Sequence, residues 1–447
     1  MNFNRAVAMF LVGGALLLTA GCAAERVLAP SPLPHVKPDY EKAEFWAARQ
    51  PDIAKVIAGE ERIREINRGA LLLDTALVDI FAARPVKRED LLAFFSRLRA
   101  EYDLKTFYGH SNFPLRRNFF DGVFEDMDLG SLPAEAVPEY ALVVRETDMR
   151  EIPTHEIGMK EPYDNEFDYF QYSRLECGTP LAVLHFSRGR KWCFVQASFA
   201  KGWVQAADIA FGRIEDVQRF VNSPPLAAIG NGADVYADPG WRRHAFRLPM
   251  GAAVPYLTSA PEHYRVMLPV SDARGKLRFR EGYVKNSEPV SVGYLPYTTE
   301  GVLRQAFLLR GQPYGWGGMF GGRDCSRFLR DVFRSFGIQL PVNSMRQSNF
   351  HPGRKSLEGM TDGEKKAVLR DFEGRPALLY LRGHIMLLLG VVEDRVYAIH
   401  STWAYREESE PTPRVYHIGG VAVSDLSLRG SSGETLLSRI KAVTPIY

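Results

Sequence analysis

The stretch that decides the fold of the C-terminal third is QPYGWGGMFGGRDCS, residues 312–326. Its glycines predict a backbone that approaches another part of the protein closely. Immediately after it, apolar residues recur at helical spacing from Phe328 to Phe336, and Gly337 ends the pattern. The sequence therefore places Cys325 in the first turn of a helix.

Cys325 is the first candidate for chemistry. Unpaired backbone N–H groups and the positive end of the helix dipole favour the thiolate form of a cysteine at this position. The sequence thus predicts a nucleophilic thiol, which needs a nearby proton acceptor.

Two histidines are candidates for that partnership. His384 opens the apolar strand GHIMLLLG, residues 383–390, and His400 ends the next predicted strand, residues 396–400. An odd-numbered turn at 391–393 would place the two histidines across from each other on one face, whereas a two-residue turn would place them on opposite faces. Their pairing is therefore a prediction about strand register.

Together these residues resemble the NlpC-type papain-like cysteine peptidases of bacterial cell walls, over about residues 296–447. In that family a Tyr-x-Trp-Gly-Gly segment precedes Asp-Cys-Ser at a helix start. A Gly-His strand supplies the base, and a polar residue on the next strand orients it. The family commonly has glycine after Asp-Cys-Ser, where this chain has Arg327.

The resemblance implies a role for each matching position. Cys325 would attack an amide carbonyl, His384 would take the thiol proton, and His400 would hold the imidazole in the required tautomer. Oxyanion stabilisation or substrate contact is implied for Tyr314, Asp324 and Ser326.

Two alternatives stay open at this site. His417 is another candidate for the third position, but it lies 33 residues from His384, beyond a proline-rich turn. A zinc ion held by Cys325, His384 and His400 is chemically possible, although nothing else in the chain has metal-ligand spacing. We expect no cofactor.

Residues 139–295 show the shorter period of strands, punctuated by glycine and proline. A hairpin is predicted from residues 179–186 and 191–197, which flank a Ser-Arg-Gly-Arg turn. Gly-Trp-Val at 202–204 recurs as Gly-Tyr-Val at 282–284. This layout resembles a pair of bacterial SH3-like domains. The two predicted barrels span residues 139–215 and 225–295.

Cys177 and Cys193 both lie in the first predicted barrel. The hairpin register separates them by roughly 23 Å, far beyond the roughly 7 Å between Cα atoms that a disulfide allows. Two free thiols are therefore expected.

Residues 1–21 combine one cation, an apolar run and small residues, which is typical of a secretion signal. Small residues followed by Cys22 resemble a bacterial lipobox, which implies a lipid anchor on that cysteine. Ordinary secretion with cleavage near residues 20–24 is the alternative. Both interpretations place the protein in the cell envelope, and the first makes it a membrane-anchored lipoprotein on the periplasmic side.

The next two regions differ in composition. Residues 22–44 are rich in proline and predict a semi-extended tether. Residues 45–138 are predicted to be helical, because apolar stripes at helical spacing run from Ile53 to Ile66 and from Leu91 to Leu98.

The composition restricts the class of protein. The chain has 447 residues, of which 46% are hydrophobic and 24% charged, and its formal net charge is +3. These values are typical of a globular protein with several domains. The balanced, interspersed charges exclude binding by phosphate neutralisation, so no nucleic-acid partner is expected. We expect a monomer.

The expected fold is a multidomain α+β protein with an N-terminal helical segment, two small SH3-like β-barrels and a C-terminal papain-like catalytic domain. The resemblance implies that it cleaves peptidoglycan stem peptides between γ-D-glutamate and the following diamino acid, usually diaminopimelate. Three alternatives stay open: a recycling peptidase restricted to free stem peptides with N-terminal L-Ala, a non-catalytic wall-binding protein, and an acyltransferase on the same fold.

Overall fold

The computed structural model describes residues 25–50, 52–73, 77–408, 413–430 and 432–447. The predicted signal peptide, residues 1–21, and Cys22 lie outside the described residues. Within those ranges, every helix is too short or too polar to span a bilayer.

The C-terminal domain is built on a seven-stranded sheet. In spatial order its strands are Glu25–Leu28, Arg414–Asp425, Arg395–Glu407, His384–Val392, Ala377–Leu381, Ala442–Pro445 and Lys355–Ser356. Neighbouring strands are antiparallel except for Glu25–Leu28, which runs parallel to its neighbour. The helices of this domain are Thr299–Leu308, Cys325–Arg334, Ser344–Ser348, Asp362–Arg370 and Leu436–Arg439.

Helices cover both faces of this sheet. The helix Cys325–Arg334, called the cysteine helix below, buries Phe328 and Val332 completely against one face. Alternating residues of the strand His384–Val392 divide between two cores: Ile385 and Leu387 pack with the cysteine helix, whereas Met386 packs on the other face. The sheet is therefore an apolar layer buried on both sides, and Cys325 lies beside the backbone of Ile385 in its middle strand.

Residues 25–44 do not form the predicted tether. Glu25–Leu28 completes the edge of the catalytic sheet, and the Tyr397 hydroxyl donates to the His35 carbonyl at 2.9 Å. Three apolar side chains among and just after the prolines are buried in the core of the catalytic domain: Leu33, Val36 and Tyr40. Burial of these side chains holds the segment against the domain.

The region 45–138 is divided between two cores. Helix Glu60–Leu73 packs on the catalytic domain through Ile63 and Ile66, whereas helix Arg88–Asp103 packs on the first barrel through Leu91 and Phe95. The remaining helices of this region are Ala43–Ala47 and Arg117–Asp126, and its short strands are Val56–Ala58, Val86–Lys87 and Glu135–Ala136.

The helical prediction for residues 53–58 is wrong. Val56–Ala58 is a strand that pairs with Tyr297–Thr298 at the start of the catalytic domain. The helix begins only at Glu60. The apolar spacing matched a helix, but pairing with a distant strand decided the local structure.

The first barrel contains a seven-stranded antiparallel sheet. In spatial order its strands are Ile209–Phe211, Glu139–Val143, Pro180–Phe186, Trp192–Gln196, Lys201–Gln205, Thr147–Arg150 and Gln171–Leu175. Cys177 and Cys193 are both free and buried. Cys193 pairs with Phe186 across the hairpin.

The second barrel repeats this architecture after the helix Ile214–Asn222. In spatial order its strands are His244–Leu248, Ala233–Tyr236, Leu277–Lys285, His263–Ser271, Ala253–Ser259, Pro225–Ala228 and Val290–Val292. In both barrels, the first residue of the repeated triplet must be glycine for the same steric reason. A Cβ atom at Gly202 would lie 2.7 Å from Met149 Cγ, and one at Gly282 would lie 2.4 Å from Leu268 Cγ.

Candidate active site

Cys325 lies where the sequence predicts, at the first residue of the cysteine helix. Asp324 caps this helix: its carboxylate accepts from the Arg327 backbone N–H at 2.7 Å and from the Ser326 hydroxyl at 2.7 Å. It also accepts from the Gly317 N–H at 3.1 Å. The cap therefore joins the glycine-rich turn to the helix and sets the position of the thiol.

Asp324 and Ser326 both take part in the hydrogen bonds that cap the helix. Both carboxylate oxygens of Asp324 accept hydrogen bonds from the protein, and Ser326 is buried. A substrate contact for either residue stays a prediction without support from this geometry.

The glycine-rich turn approaches the first barrel closely. Gly317 and Gly318 both have positive φ, and a Cβ atom at Gly318 would lie 2.8 Å from Arg174 Cβ. The Gln171 side chain also donates to the Gly317 carbonyl at 3.3 Å. These glycines therefore let the strand Gln171–Leu175 lie directly against the turn that precedes Cys325.

The two histidines lie on the same side of the sheet. His384 Nε2 and His400 Nδ1 are 2.6 Å apart and hydrogen-bonded. The connecting turn has two residues, Glu393 and Asp394, both with positive φ. By itself such a turn would separate the histidines.

A bulge restores their pairing. The register between the two strands shifts by one residue between Leu388 and Gly390, which leaves Leu389 as the extra residue. Because side chains alternate with a period of two, one inserted residue returns His384 to the side of His400. The predicted neighbourhood of the histidines agrees with the structure, but the predicted odd turn does not.

Ser424 continues the chain of polar groups and was not predicted. Its hydroxyl lies 2.7 Å from His400 Nε2, and both His400 and Ser424 are buried. His384, His400 and Ser424 thus form a continuous relay on three neighbouring strands. A serine directly after the apolar residues Val421–Val423 was the signal in the sequence.

Burial keeps both candidate groups, the Cys325 thiol and the His384 imidazole, neutral. Burial, together with the charge of Asp324, raises the pKa of the Cys325 thiol to about 12, against the backbone N–H groups of Ile385, Ser326 and Cys325. The His384 ring keeps some solvent exposure, yet the burial of its surroundings, with a smaller effect of Arg439, lowers its pKa to about 4. The predicted preference for a thiolate is therefore wrong, because burial raises the pKa of the thiol more than the helix N-terminus lowers it.

Tyr314 lies beside the thiol. Its backbone N–H donates to the Gly419 carbonyl at 2.8 Å, which ties it to the sheet. Burial and the neighbouring Cys325 and Asp324 raise the pKa of its phenol, which therefore stays protonated and able to donate a hydrogen bond.

The first barrel adds aromatic side chains to this site, a contribution that was not assigned from the sequence. The ring of Phe167 lies 6.0 Å from Tyr314, 5.5 Å from Trp316 and 5.6 Å from Trp403, and Tyr169 lies 5.1 Å from Trp316. We call these five residues the aromatic cluster. Three of its members belong to the catalytic domain and two to the barrel.

A buried ion pair holds the barrel segment in place. Asp168, next to Phe167, accepts from Arg150 at 2.5 Å and from the backbone N–H groups of Gly158 and Phe170. These bonds position the segment that carries Phe167 and Tyr169 from within the barrel core.

His417 lies away from the histidine pair. It packs against Trp403 at 5.4 Å and lies 3.5 Å from Glu166 of the first barrel. His400, rather than His417, is thus the residue in contact with His384. Across the described ranges, no group of three or more His, Cys, Asp or Glu side chains is arranged to hold a metal ion.

Comparisons with known proteins find a family match in each of the two domains that form this site, the catalytic domain and the first barrel. Residues 311–389 match the NlpC/P60 family, and residues 159–205 match the SH3 domain of the SH3b1 type. The chain therefore carries an NlpC/P60 family domain together with an SH3b domain. Its C-terminal domain is a peptidase-type hydrolase domain.

One solved structure shares the arrangement of domains. It is described as a novel NlpC/P60 endopeptidase from Photobacterium damselae subsp. piscicida, and it has a TM-score of 0.72 and 20% sequence identity. The similarity covers 88% of this chain and 94% of that chain, so the two share a fold.

Two curated relatives are both named γ-D-glutamyl-L-lysine dipeptidyl-peptidase. The one from Bacillus subtilis (strain 168) is 32% identical over 114 residues, which is 24% of this chain and 38% of the relative. The one from Bacillus cereus (strain ATCC 10987 / NRS 248) is 25% identical over 149 residues, 33% of this chain and 43% of the relative. The chain spans about two fifths of the length of these relatives.

Proposed function

We propose that this protein is a cysteine endopeptidase that hydrolyses the amide bond between γ-D-glutamate and the following diamino acid in peptidoglycan stem peptides. The observations that carry the proposal are Cys325 at a capped helix start, its proximity to the backbone N–H of Ile385, the residue after His384, and the hydrogen-bonded chain of His384, His400 and Ser424. The names of the two curated relatives support the bond, and diaminopimelate is the diamino acid expected from the sequence.

The relay selects one tautomer of His384. If His400 donates its Nε2 proton to Ser424, its Nδ1 accepts the proton of His384 Nε2. His384 Nδ1 then carries the lone pair that takes the thiol proton of Cys325. His400 and Ser424 act through His384, so we regard them as positioning residues.

In this mechanism the thiol sulfur attacks the amide carbon as its proton passes to His384. The developing oxyanion accepts hydrogen bonds from the Cys325 backbone N–H and the Tyr314 hydroxyl. His384 then protonates the leaving amine as the C–N bond breaks. Water, activated by the same imidazole, hydrolyses the thioester and restores the thiol. A neutral Cys325 thiol and a neutral His384 imidazole favour proton transfer during attack over a preformed ion pair.

A second candidate function is supported by specific observations. The curated relatives are named as dipeptidyl-peptidases, which act at a free N-terminus. In this chain the first-barrel segment with Glu166 and Phe167 lies across the aromatic cluster, and Glu166 pairs with Trp403. Because this segment limits the space beside the aromatic cluster, the site favours a short free peptide over a long peptidoglycan strand as substrate. The second candidate is therefore a peptidase restricted to free stem peptides.

We further propose that the protein works in the cell envelope, on the periplasmic side, attached to a membrane through a lipid on Cys22. The support is the composition of residues 1–22. The same location would bring it to peptidoglycan, its proposed partner.

The experiment that tests the function is mass spectrometry of the products formed from intact sacculi and, separately, from purified stem peptides. Release of wall fragments that end in γ-D-glutamate supports the endopeptidase. Cleavage of free peptides alone supports the second candidate. Cys325→Ala should abolish both activities, and Cys193→Ala, which removes a buried barrel thiol, should retain them. Equal cleavage by Cys325→Ala and the unchanged protein would refute cysteine catalysis.

A further inference from the structure

A cavity of about 340 Å³ lies where the N-terminal region, both barrels and the catalytic domain meet. The cysteine helix contributes Arg330 and Arg334 to its wall, and the first barrel contributes Glu176 and Phe199. The second barrel contributes apolar surface that includes Ala253. This cavity borders the cysteine helix five to nine residues beyond Cys325, apart from the aromatic cluster.

The charges around this cavity are unequal. Arg323 and Asp331 form an ion pair at 2.8 Å, and Glu176 accepts from Arg327 and, at 3.4 Å, from Arg334. Four arginines thus share two carboxylates. Both carboxylates are ion-paired with other arginines, although Glu176 Oε2 and Asp331 Oδ1 accept no hydrogen bond, and Arg330 forms an ion pair with neither of them.

Arg330 is a buried cation held in place by stacking. It is 2% exposed, and its guanidinium carbon lies 3.9 Å from the centre of the Phe199 ring. Among the residues that the structure describes, no carboxylate forms an ion pair with it, and its Nη2 has no hydrogen-bond partner. Burial and the neighbouring Arg327 lower its pKa to about 10, so the group remains charged at neutral pH.

A buried charge of this kind is costly unless an opposite charge or hydrogen-bond acceptors compensate it. We propose that the cavity binds a small oxyanion, a carboxylate or phosphate group carried by a molecule that fits this volume, with Arg330 as its principal partner. Arg334 is the second cation on the wall. Such a ligand would contact both barrels and the cysteine helix at once, and would strengthen their attachment to one another.

The test is calorimetric titration of the full chain with inorganic phosphate and, separately, with succinate, at ionic strength held constant with sodium chloride. Saturable binding of either anion is expected. Because a hydrogen bond to a charged group contributes about 1.5–3 kcal/mol, Arg330→Gln should weaken binding by about tenfold or more. The matched control is Arg304→Gln, which removes an exposed arginine paired with Glu300 and should bind as the unchanged protein does.

A second variant leaves every arginine in place. Ala253→Leu extends a side chain into the cavity and should also weaken binding, so it decides the question if Arg330→Gln fails to fold. Absence of saturable binding of both anions would overturn the proposal, as would equal affinity in the unchanged protein and in either cavity variant.

Discussion

The two barrels share one architecture but stand in different relations to the candidate active site. The first barrel places Phe167 and Tyr169 among the aromatic side chains beside Cys325, and its Glu176 is buried against arginines of the cysteine helix. The second barrel contacts the same helix elsewhere: a Cβ atom at Gly251 would lie 2.5 Å from Arg334 Cβ, and Asn231 accepts from Arg323, just before the helix, at 3.2 Å.

The difference lies in the insertions and charges that each barrel carries. The first barrel inserts residues 151–170 between two strands, and this insertion supplies the side chains that reach the site. Arg327 of the cysteine helix occupies the position where the family commonly has glycine. Its side chain extends into the first barrel and donates to the Arg174 carbonyl at 2.8 Å. The two barrels therefore share a fold, but only the side chains of the first barrel contribute to the aromatic cluster.

The largest expected effect concerns the buried carboxylate of the first barrel. Glu176→Gln removes the buried charge that pairs with Arg327 and Arg334 of the cysteine helix and should lower the free energy of unfolding by about 3–5 kcal/mol. The matched change in the second barrel is Asp234→Asn, which breaks a more exposed pair with Arg247 and should cost at most about 1 kcal/mol. Urea unfolding measures both values. Equal losses would show that the barrels are coupled to the rest of the protein alike.

The same carboxylate predicts a pH dependence. Burial alone would raise the pKa of Glu176, yet Arg327, Arg334 and Arg330 lower it from 4.5 to about 2. A lowered folded-state pKa stabilises the protein above the unfolded value, so about 3 kcal/mol should be lost as the pH falls from about 4.5 to 2. In Glu176→Gln this part of the acid sensitivity should disappear. A variant with unchanged acid sensitivity would contradict the prediction.

The next effect is on activity. Phe167→Ala removes a first-barrel ring from the aromatic cluster and should raise KM for stem peptides about fivefold, because an aromatic contact of this kind contributes about 1 kcal/mol. Trp241→Ala removes a second-barrel ring that packs on Tyr236 at 5.3 Å. It should leave KM unchanged in the same steady-state assay. An increase in KM for Trp241→Ala alone would reverse the roles assigned to the barrels.

The smallest effect concerns the contact between the second barrel and Arg323, two residues before the cysteine helix. Asn231→Ala removes one hydrogen bond to Arg323 and should cost about 1 kcal/mol of unfolding free energy. Because Arg323 keeps its ion pair with Asp331, kcat/KM should not change. A large fall in kcat/KM would show that the contact with the second barrel is needed to position Cys325.

Local patterns predicted the parts of the site that depend on neighbouring residues. Helical spacing after Cys325 and the polar residue at the start of an apolar strand located Cys325 and His384 correctly in their elements. The bulge at Leu389 could not be predicted in this way, because an extra residue in a strand is tolerated or excluded by the strands and helices packed around it. Ser424 and Phe167 escaped for the same reason, since each acts through a contact with a distant segment.

The sequence by itself determined the elements that carry Cys325 and His384 and the position of the thiol in its helix, because capping, apolar spacing and alternation act over a few residues. The tertiary structure alone decided the side of the sheet on which the histidines meet, the protonation of the buried thiol and the attachment of residues 25–44. Each of these depends on burial and on contacts between segments far apart in the chain, whose free energies are set only when the domains pack together.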